Sequence, residues 1–318
     1  MVQGRQTAAT RLYDNTARVI FFVCALLLVA VILGIFIFIA INGLRIFFEK
    51  GGTNLATFFS GTVWDPTGGG HADADGNPIP YYGAAGLIIG SIVTTLLAVI
   101  IATPLAIGVA LLFTEAAPRW LTAFLQPLIE IFTGMPSVVI GFLGLVVLVP
   151  WLQKAAAPFN GGLQLGGYGW GAATIILVVM ILPTIISVAI DALRAVPQSV
   201  REASLALGST RWQMMRSAVI PAAASGLGTA VVLGMARAIG ETLAVALVLG
   251  GSDIPKNIWT LQAFFQPNVN ITQVIAQDFG ESFGVARDAY FTLALFLLAI
   301  SFLFICISRY LASRSVYR

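Results

Sequence analysis

Charge is scarce in this chain. Among 318 residues there are 17 Lys or Arg and 14 Asp or Glu, so charged side chains make up only 10%. An average soluble domain carries about 25%, and so little charge cannot cover a water-facing surface. Lysine is rarer still. Lys50, Lys154 and Lys256 follow Glu49, Gln153 and Pro255. A phosphate-cradling P-loop needs Gly-Lys followed by Ser or Thr, so the chain has no means of hydrolysing ATP by itself. The only histidine is His71. With Asp73 and Asp75 it forms the tract HADADGNP (71–78), whose oxygens are candidate hard-metal ligands. The spacing does not match an EF-hand loop, and the tract reads instead as a turn-rich loop. Both cysteines, Cys24 and Cys306, lie inside apolar runs, which excludes a disulfide framework or a cysteine metal site. No metal or catalytic centre is expected.

What the chain has in abundance is apolar sequence: 58% hydrophobic residues and a mean hydropathy of +0.93. Several apolar runs are 20 residues or longer, and in lipid only helices and closed barrels satisfy the backbone. The fold class is therefore all-α, a polytopic membrane helix bundle. Six spans are read, at about 19–41, 86–113, 122–150, 170–193, 218–250 and 289–311. The first is too long for a signal peptide and lacks a small-residue cleavage site, so it reads as a retained span. Residues 1–18 form an N-terminal segment, 19–311 the membrane domain and 312–318 a tail. Eleven basic residues fall on the side of the N-terminus, five fall opposite, and Arg237 lies within a span. That asymmetry predicts both termini in the cytoplasm. It also accounts for the sequence pI of about 9.0 without nucleic acid. The outer segments are 43–85 and 251–288, the second built around WTLQAFF (259–265) and expected to lie along the interface or over the pore mouth. Gly134, Gly141 and Gly144 share one face if their span is a single helix, and small residues there permit close helix approach.

The cytoplasmic loop 194–217 is polar yet helix-forming. Pro197 suits a helix start. Val200, Ala203 and Leu207 then fall on one narrow face, Gly208 is placed to end the helix in the left-handed conformation, and Thr210 with Gln213 has capping-box spacing. The pattern predicts a short helix, a sharp turn and a second helix leading to Pro221. This loop resembles the EAA loop of ABC-importer permeases: Glu202-Ala203-Ser204, then Gly208, then Ala218-Val219-Ile220-Pro221. Ser204, Ala218 and Ile220 depart from the family's Ala, Ile and Leu. The resemblance implies that the first helix couples to a separate ATPase, with Arg201, Glu202, Ala203, Ser204, Gly208 and Pro221 as the coupling residues.

The fifth span holds two charges, Arg237 and Glu241. Four residues apart, they share a face if the helix is continuous. Each costs about 2.5–3.5 kcal/mol at a span centre. Either they neutralise each other or they face a polar pathway. Arginine offers a fixed fork of donors to an oxyanion. A carboxylate accepts a hydrogen bond from a protonated oxyanion and repels a fully ionised one, which suits phosphate better than sulfate. Glu130 and Asp191 lie toward the inner ends of their spans and read as interfacial or structural.

Arg237, Gly240, Glu241, Thr242, Ala244 and Val245 resemble the R-x-x-G-E-T-x-A-V signature of bacterial phosphate importer permeases. The segment GMPSVVIGFLGLVVLVPWL (134–152), the pair Trp64 and Pro66, and Tyr82-Gly83 fit the same family. Of that importer's two permease subunits, one typically continues Gly-Glu-Thr with Ala-Pro; Leu243-Ala244 here puts the chain with the other. The resemblance implies a type I ABC-importer permease fold in the bacterial inner membrane. It also implies a second permease subunit, two ATPase subunits and an external phosphate-binding protein. The substrate would be inorganic phosphate, handled by Arg237, Glu241 and Thr242. This chain would bind no cofactor, and ATP would be used by the partner. A permease for sulfate or molybdate, or an ATP-independent carrier or channel, are the other readings.

Overall fold

The protein is described here from a computed structural model, in which residues 8–48, 52–71, 73, 75–156, 166–251 and 264–313 are placed. The chain runs α1 (Ala8–Arg45), α2 (Leu55–Ser60), β1 (Trp64–Asp65), β2 (Tyr81–Tyr82), α3 (Ala85–Leu111), α4 (Arg119–Gly134), α5 (Ser137–Leu143) and α6 (Val149–Ala156). It continues as α7 (Trp170–Arg194), α8 (Gln198–Ala206), α9 (Arg211–Met214), α10 (Ile220–Ala222), α11 (Ala224–Gly240), α12 (Leu243–Leu249), α13 (Ile271–Asp278) and α14 (Gly284–Ser313). Five segments are long and apolar enough to span a membrane: Asn15–Arg45, Ala85–Ala116, Ser137–Ala155, Trp170–Arg194 and Gly284–Tyr310. The pair Arg211–Ala222 and Ala224–Gly240, bent by 72°, makes a sixth.

The third and fifth spans differ from expectation, and proline explains both. Residues 122–150 are not one helix. Met135 precedes Pro136, whose ring excludes the helical region for its neighbour, and Met135 is extended at φ −67°, ψ 135°. The span proper begins at Ser137, while α4 lies apart from it with no buried residue. Gly134 is therefore severed from the glycine face and has open space around it. Gly141 and Gly144 do mediate close approach: a Cβ on Gly141 would sit 2.6 Å from Ala244 Cα, and one on Gly144 2.6 Å from Ile176 Cδ1. In the fifth span Pro221 lacks the amide that would continue the helical ladder. A π-bulge at Met215–Val219 precedes it, and the chain bends after Ala222. Bulges and prolines are the usual causes of sharp kinks. At its start, α1 reaches back to Ala8, beyond the expected Val19.

The main core lies among α3, α7, α11 and α12. Ala98, Ala102, Ala106 and Ala173 are fully buried there with Ile181 and Ile185. A second cluster closes the far end, where Phe58 packs edge-to-face on Trp64 and Phe59, and Trp64 on Tyr290. The two-residue ladder Trp64↔Tyr82 pins the outer loop to it. α1 packs along α14, where Thr292 Oγ1 donates to the Gly43 carbonyl at 2.6 Å.

In the outer loop, His71 Nδ1 lies 3.0 Å from Asp65 Oδ2, while Asp73 accepts from the amides of Asp75 and Asn77 and the Asn77 side chain. Burial alone would raise the Asp65 carboxyl. Hydrogen bonds from His71, Gly70, Thr67 and Gly69 outweigh that and hold it below its ordinary value. His71 and Asp73 thus serve separate turns, and among the described residues no group of three His, Cys, Asp or Glu is placed to hold a metal ion. Of the outer segment around WTLQAFF, residues 252–263 lie outside the described residues; Phe264 packs edge-to-face on Trp170.

Candidate functional site

The loop after α7 forms the expected helix–turn–helix. Gly208 adopts φ +83° with nothing within 4 Å of an added Cβ. Thr210 and Gln213 form a reciprocal capping box, with Gln213 N–H donating to Thr210 Oγ1 at 3.3 Å and Thr210 N–H to Gln213 Oε1 at 2.8 Å. Val200, Arg201 and Ser204 are the half-buried positions of α8; of the apolar set Val200, Ala203 and Leu207, Ala203 is exposed, and Leu207 lies past the helix end and is 90% exposed. Arg201 is largely buried and turns toward Glu115 and the end of α7. Its Nη2 and Nε lie 2.8 and 3.1 Å from Glu115 Oε1, and Nη1 and Nη2 donate to the Val196 and Leu193 carbonyls at 2.6 and 2.9 Å. Those carbonyls belong to the end of α7, where helices leave acceptors without partners. One guanidinium therefore fastens α8 to the end of α7 and to the π-helical turn Leu112–Ala116 that extends α3. Ser204, a departure from the family pattern, has its own role: its hydroxyl pairs with Ser209 Oγ at 2.8 Å, and Ser209 Oγ donates back to the Ser204 carbonyl at 2.6 Å, closing the turn. Glu202, Ala203, Leu205, Leu207 and Trp212 remain exposed, a mixed acidic and apolar face. Pro221 sits half-buried at the bend into the fifth span.

In the membrane, Arg237 and Glu241 do not share a helix face. α11 ends at Gly240, and Glu241 is extended at φ −76°, ψ 127°, so the i, i+4 relation no longer holds. No salt bridge joins them. Arg237 Nη1 donates to Thr184 Oγ1 on α7 at 3.1 Å. Glu241 lines a narrow cavity together with Ser91, Thr94 and Thr95 of α3 and with Asn270 and Thr272 at the start of α13. Thr272 Oγ1 donates to the Glu241 carbonyl at 3.3 Å, and Thr242 Oγ1 lies 3.4 Å from the Gly240 carbonyl. Ser91 Oγ accepts the Ile271 amide at 3.0 Å, so α3 holds the first turn of α13 against the cavity. Thr95 is 4% exposed and has no hydrogen-bond partner among the described residues. The break therefore places Glu241 on a cavity wall that mixes hydroxyl-bearing residues with apolar ones such as Leu177, Val245 and Phe304, four residues after Arg237.

Sequence reasoning missed Glu115, Thr184 and the cavity wall. Ser91, Thr94 and Thr95 follow i, i+3, i+4 spacing on α3, and Asn270 with Gln273 has capping-box spacing; Gln273 N–H does donate to Asn270 Oδ1 at 2.9 Å. Glu130 is exposed and accepts from Gln126 Nε2 at 3.1 Å, and Asp191 is exposed at the end of α7, consistent with the structural reading of both.

The model of the binding-protein-dependent transport system inner membrane component matches residues 102–317. The chain belongs to that family. A probable ABC transporter permease protein, YqgH of Bacillus subtilis, is 40% identical to this permease over 99% of the chain and 95% of its own length. The phosphate transport system permease protein PstC of Pasteurella multocida is 34% identical over 76% of the chain and 78% of its own length. That of Mesorhizobium japonicum is 36% identical over 75% and 76%. The fold is shared with solved ABC importers. A chain of the MetNI methionine transporter in inward-facing conformations matches with TM-score 0.52 at 20% identity, covering 74% of this permease and 95% of that chain. A chain of a bacterial transporter involved in import of the acidic polysaccharide alginate matches with TM-score 0.61 at 14% identity, covering 96% and 100%.

Proposed function

We propose that this permease forms part of the pathway of an ATP-driven importer of inorganic phosphate. The observation that carries the reading is the helix break at Gly240–Thr242, which sets Glu241, four residues beyond Arg237, on the wall of a narrow cavity shared with Ser91, Thr94, Thr95 and Thr272. Intramembrane charges held at such a cost mark substrate pathways. Arg237 supplies the donors that bind an oxyanion, and Glu241 accepts a hydrogen bond from its remaining proton. Phosphate near neutral pH retains a proton and sulfate does not. The likeness to the PstC proteins supports the same substrate.

The chain binds no cofactor. A second permease completes the pathway, two ATPase subunits dock on the exposed face around Glu202, Ala203 and Gly208, and an external phosphate-binding protein delivers the anion. ATP hydrolysis moves α8, and the Arg201–Glu115 contact passes that movement to α3. The termini face the cytoplasm, so tags at Ser315 and Gly69 should label on opposite faces of intact cells, the first only after permeabilisation.

The test is uptake of labelled phosphate by vesicles holding the chain with its second permease, ATPase and binding protein. The expected result is ATP-dependent uptake that excess sulfate or molybdate does not inhibit. Uptake without the ATPase would make the protein a carrier or channel, and displacement by sulfate would make it a permease for another oxyanion.

A further inference from the structure

The ends of α1 and α14 farthest from the coupling turn enclose a groove of about 530 Å³ that the transport machinery does not use. Phe38 and Phe291 form its apolar wall, their rings edge-to-face at 5.5 Å. Arg45, Arg287 and Asp288 bring charge to it, two cations and one anion among the described lining residues. Arg45 Nε lies 4.0 Å from Asp288 Oδ2, which sets that carboxylate against Arg45. Among the described residues Arg287 has no such acid. Its guanidinium carbon lies 5.5 Å from the Phe279 ring and 5.4 Å from the Phe283 ring, and its buried Nε has no hydrogen-bond partner. Aromatic faces orient a cation but do not neutralise it.

The position of the groove identifies what neutralises Arg287. α1 packs against α14 and otherwise presents apolar side chains outward beside the groove; Ile37 is 57% exposed and Ile41 65%. The groove therefore opens on the lipid-facing rim, and Arg45 and Arg287 stand where the apolar span ends. Phe38 lies seven residues before Arg45, about 10 Å deeper along the helix, at the level of upper acyl carbons. Basic side chains at the end of an apolar span stand at head-group level, within reach of a lipid phosphate.

We propose that this groove seats one anionic phospholipid, its phosphodiester between Arg45 and Arg287 and the top of an acyl chain along Phe38 and Phe291. The site is independent of what the permease carries. Native mass spectrometry of the assembled transporter, titrated with phosphatidylglycerol against phosphatidylcholine, tests it. The expected result is one retained phosphatidylglycerol, at least tenfold less retained in the double variant Arg45→Gln, Arg287→Gln, and several-fold less in Phe38→Ala. Arg119→Gln, on exposed α4, should leave retention unchanged. The mass of the intact complex reports folding, and if the double variant does not assemble, Phe38→Ala and the competition between the two lipids decide. Equal retention by wild type and variants, equal retention of phosphatidylcholine, or displacement by inorganic phosphate would each overturn the proposal. So would a photocrosslinker at Phe291 that yields a protein adduct in place of a lipid adduct.

Discussion

Arg201 and Glu115 lie 86 positions apart and meet through three contacts of 2.8, 3.1 and 3.3 Å. Their side chains are only 13% and 8% exposed. The pair ties α8 to the turn Leu112–Ala116 that extends α3, the span that carries Ser91, Thr94 and Thr95. Removing one partner of a buried pair leaves an uncompensated charge and costs about 3–5 kcal/mol.

Glu115→Gln and Arg201→Gln should therefore each lower thermal stability and release ATP turnover from phosphate uptake. The double variant should be less than additive, with a coupling energy of about 1–3 kcal/mol. Additive losses in melting temperature, with normal uptake per ATP, would reduce the pair to a surface contact.

Gly208 offers a cleaner separation of backbone from side chain. At φ +83° with open space around it, the position penalises a side chain only through backbone strain. That strain is roughly 1–2 kcal/mol for a branched residue and less for asparagine. Gly208→Val should weaken ATPase association in pull-downs while Gly208→Asn retains most of it. Equal binding by both variants would mean that the turn conformation is irrelevant to docking.

The glycines of the third span separate two views of that segment. A Cβ on Gly141 would press on the Ala244 backbone, whereas Gly134 has room. Gly141→Ala should lose about 1–3 kcal/mol through overpacking, read as a lower melting temperature in detergent. Gly134→Ala should be neutral or slightly stabilising. Equal losses at both would restore a single continuous glycine face.

Much of this architecture was legible in the sequence because it rests on local rules. Apolar run lengths located the spans, and the turn chemistry of Gly208, Thr210 and Gln213 is realised as read. The family resemblance carried by Glu202–Gly208 and Arg237–Val245 agrees with the family match and with the PstC relatives. The misreadings have two physical sources. Periodicity does not carry across a break: Met135–Pro136 ends one helix and Gly240–Glu241 another, and residues on either side do not share a face. The other source is distance in sequence. Nothing near Arg201 announces Glu115, and nothing near Glu241 announces Ser91 or Asn270, because such partners are set by how the helices pack.

The central claim is that Arg237 and Glu241 act on the anion rather than on each other. They contact different neighbours, Thr184 on one side and the Thr272-lined cavity on the other. The direct measurement is uptake of labelled phosphate, with sulfate as competitor, at matched membrane abundance. Arg237→Gln should lose uptake at least tenfold, Glu241→Gln should keep a reduced uptake that sulfate now inhibits, and the double variant should not recover. Full phosphate uptake by the double variant would show that the two charges merely neutralise one another, and would contradict the account.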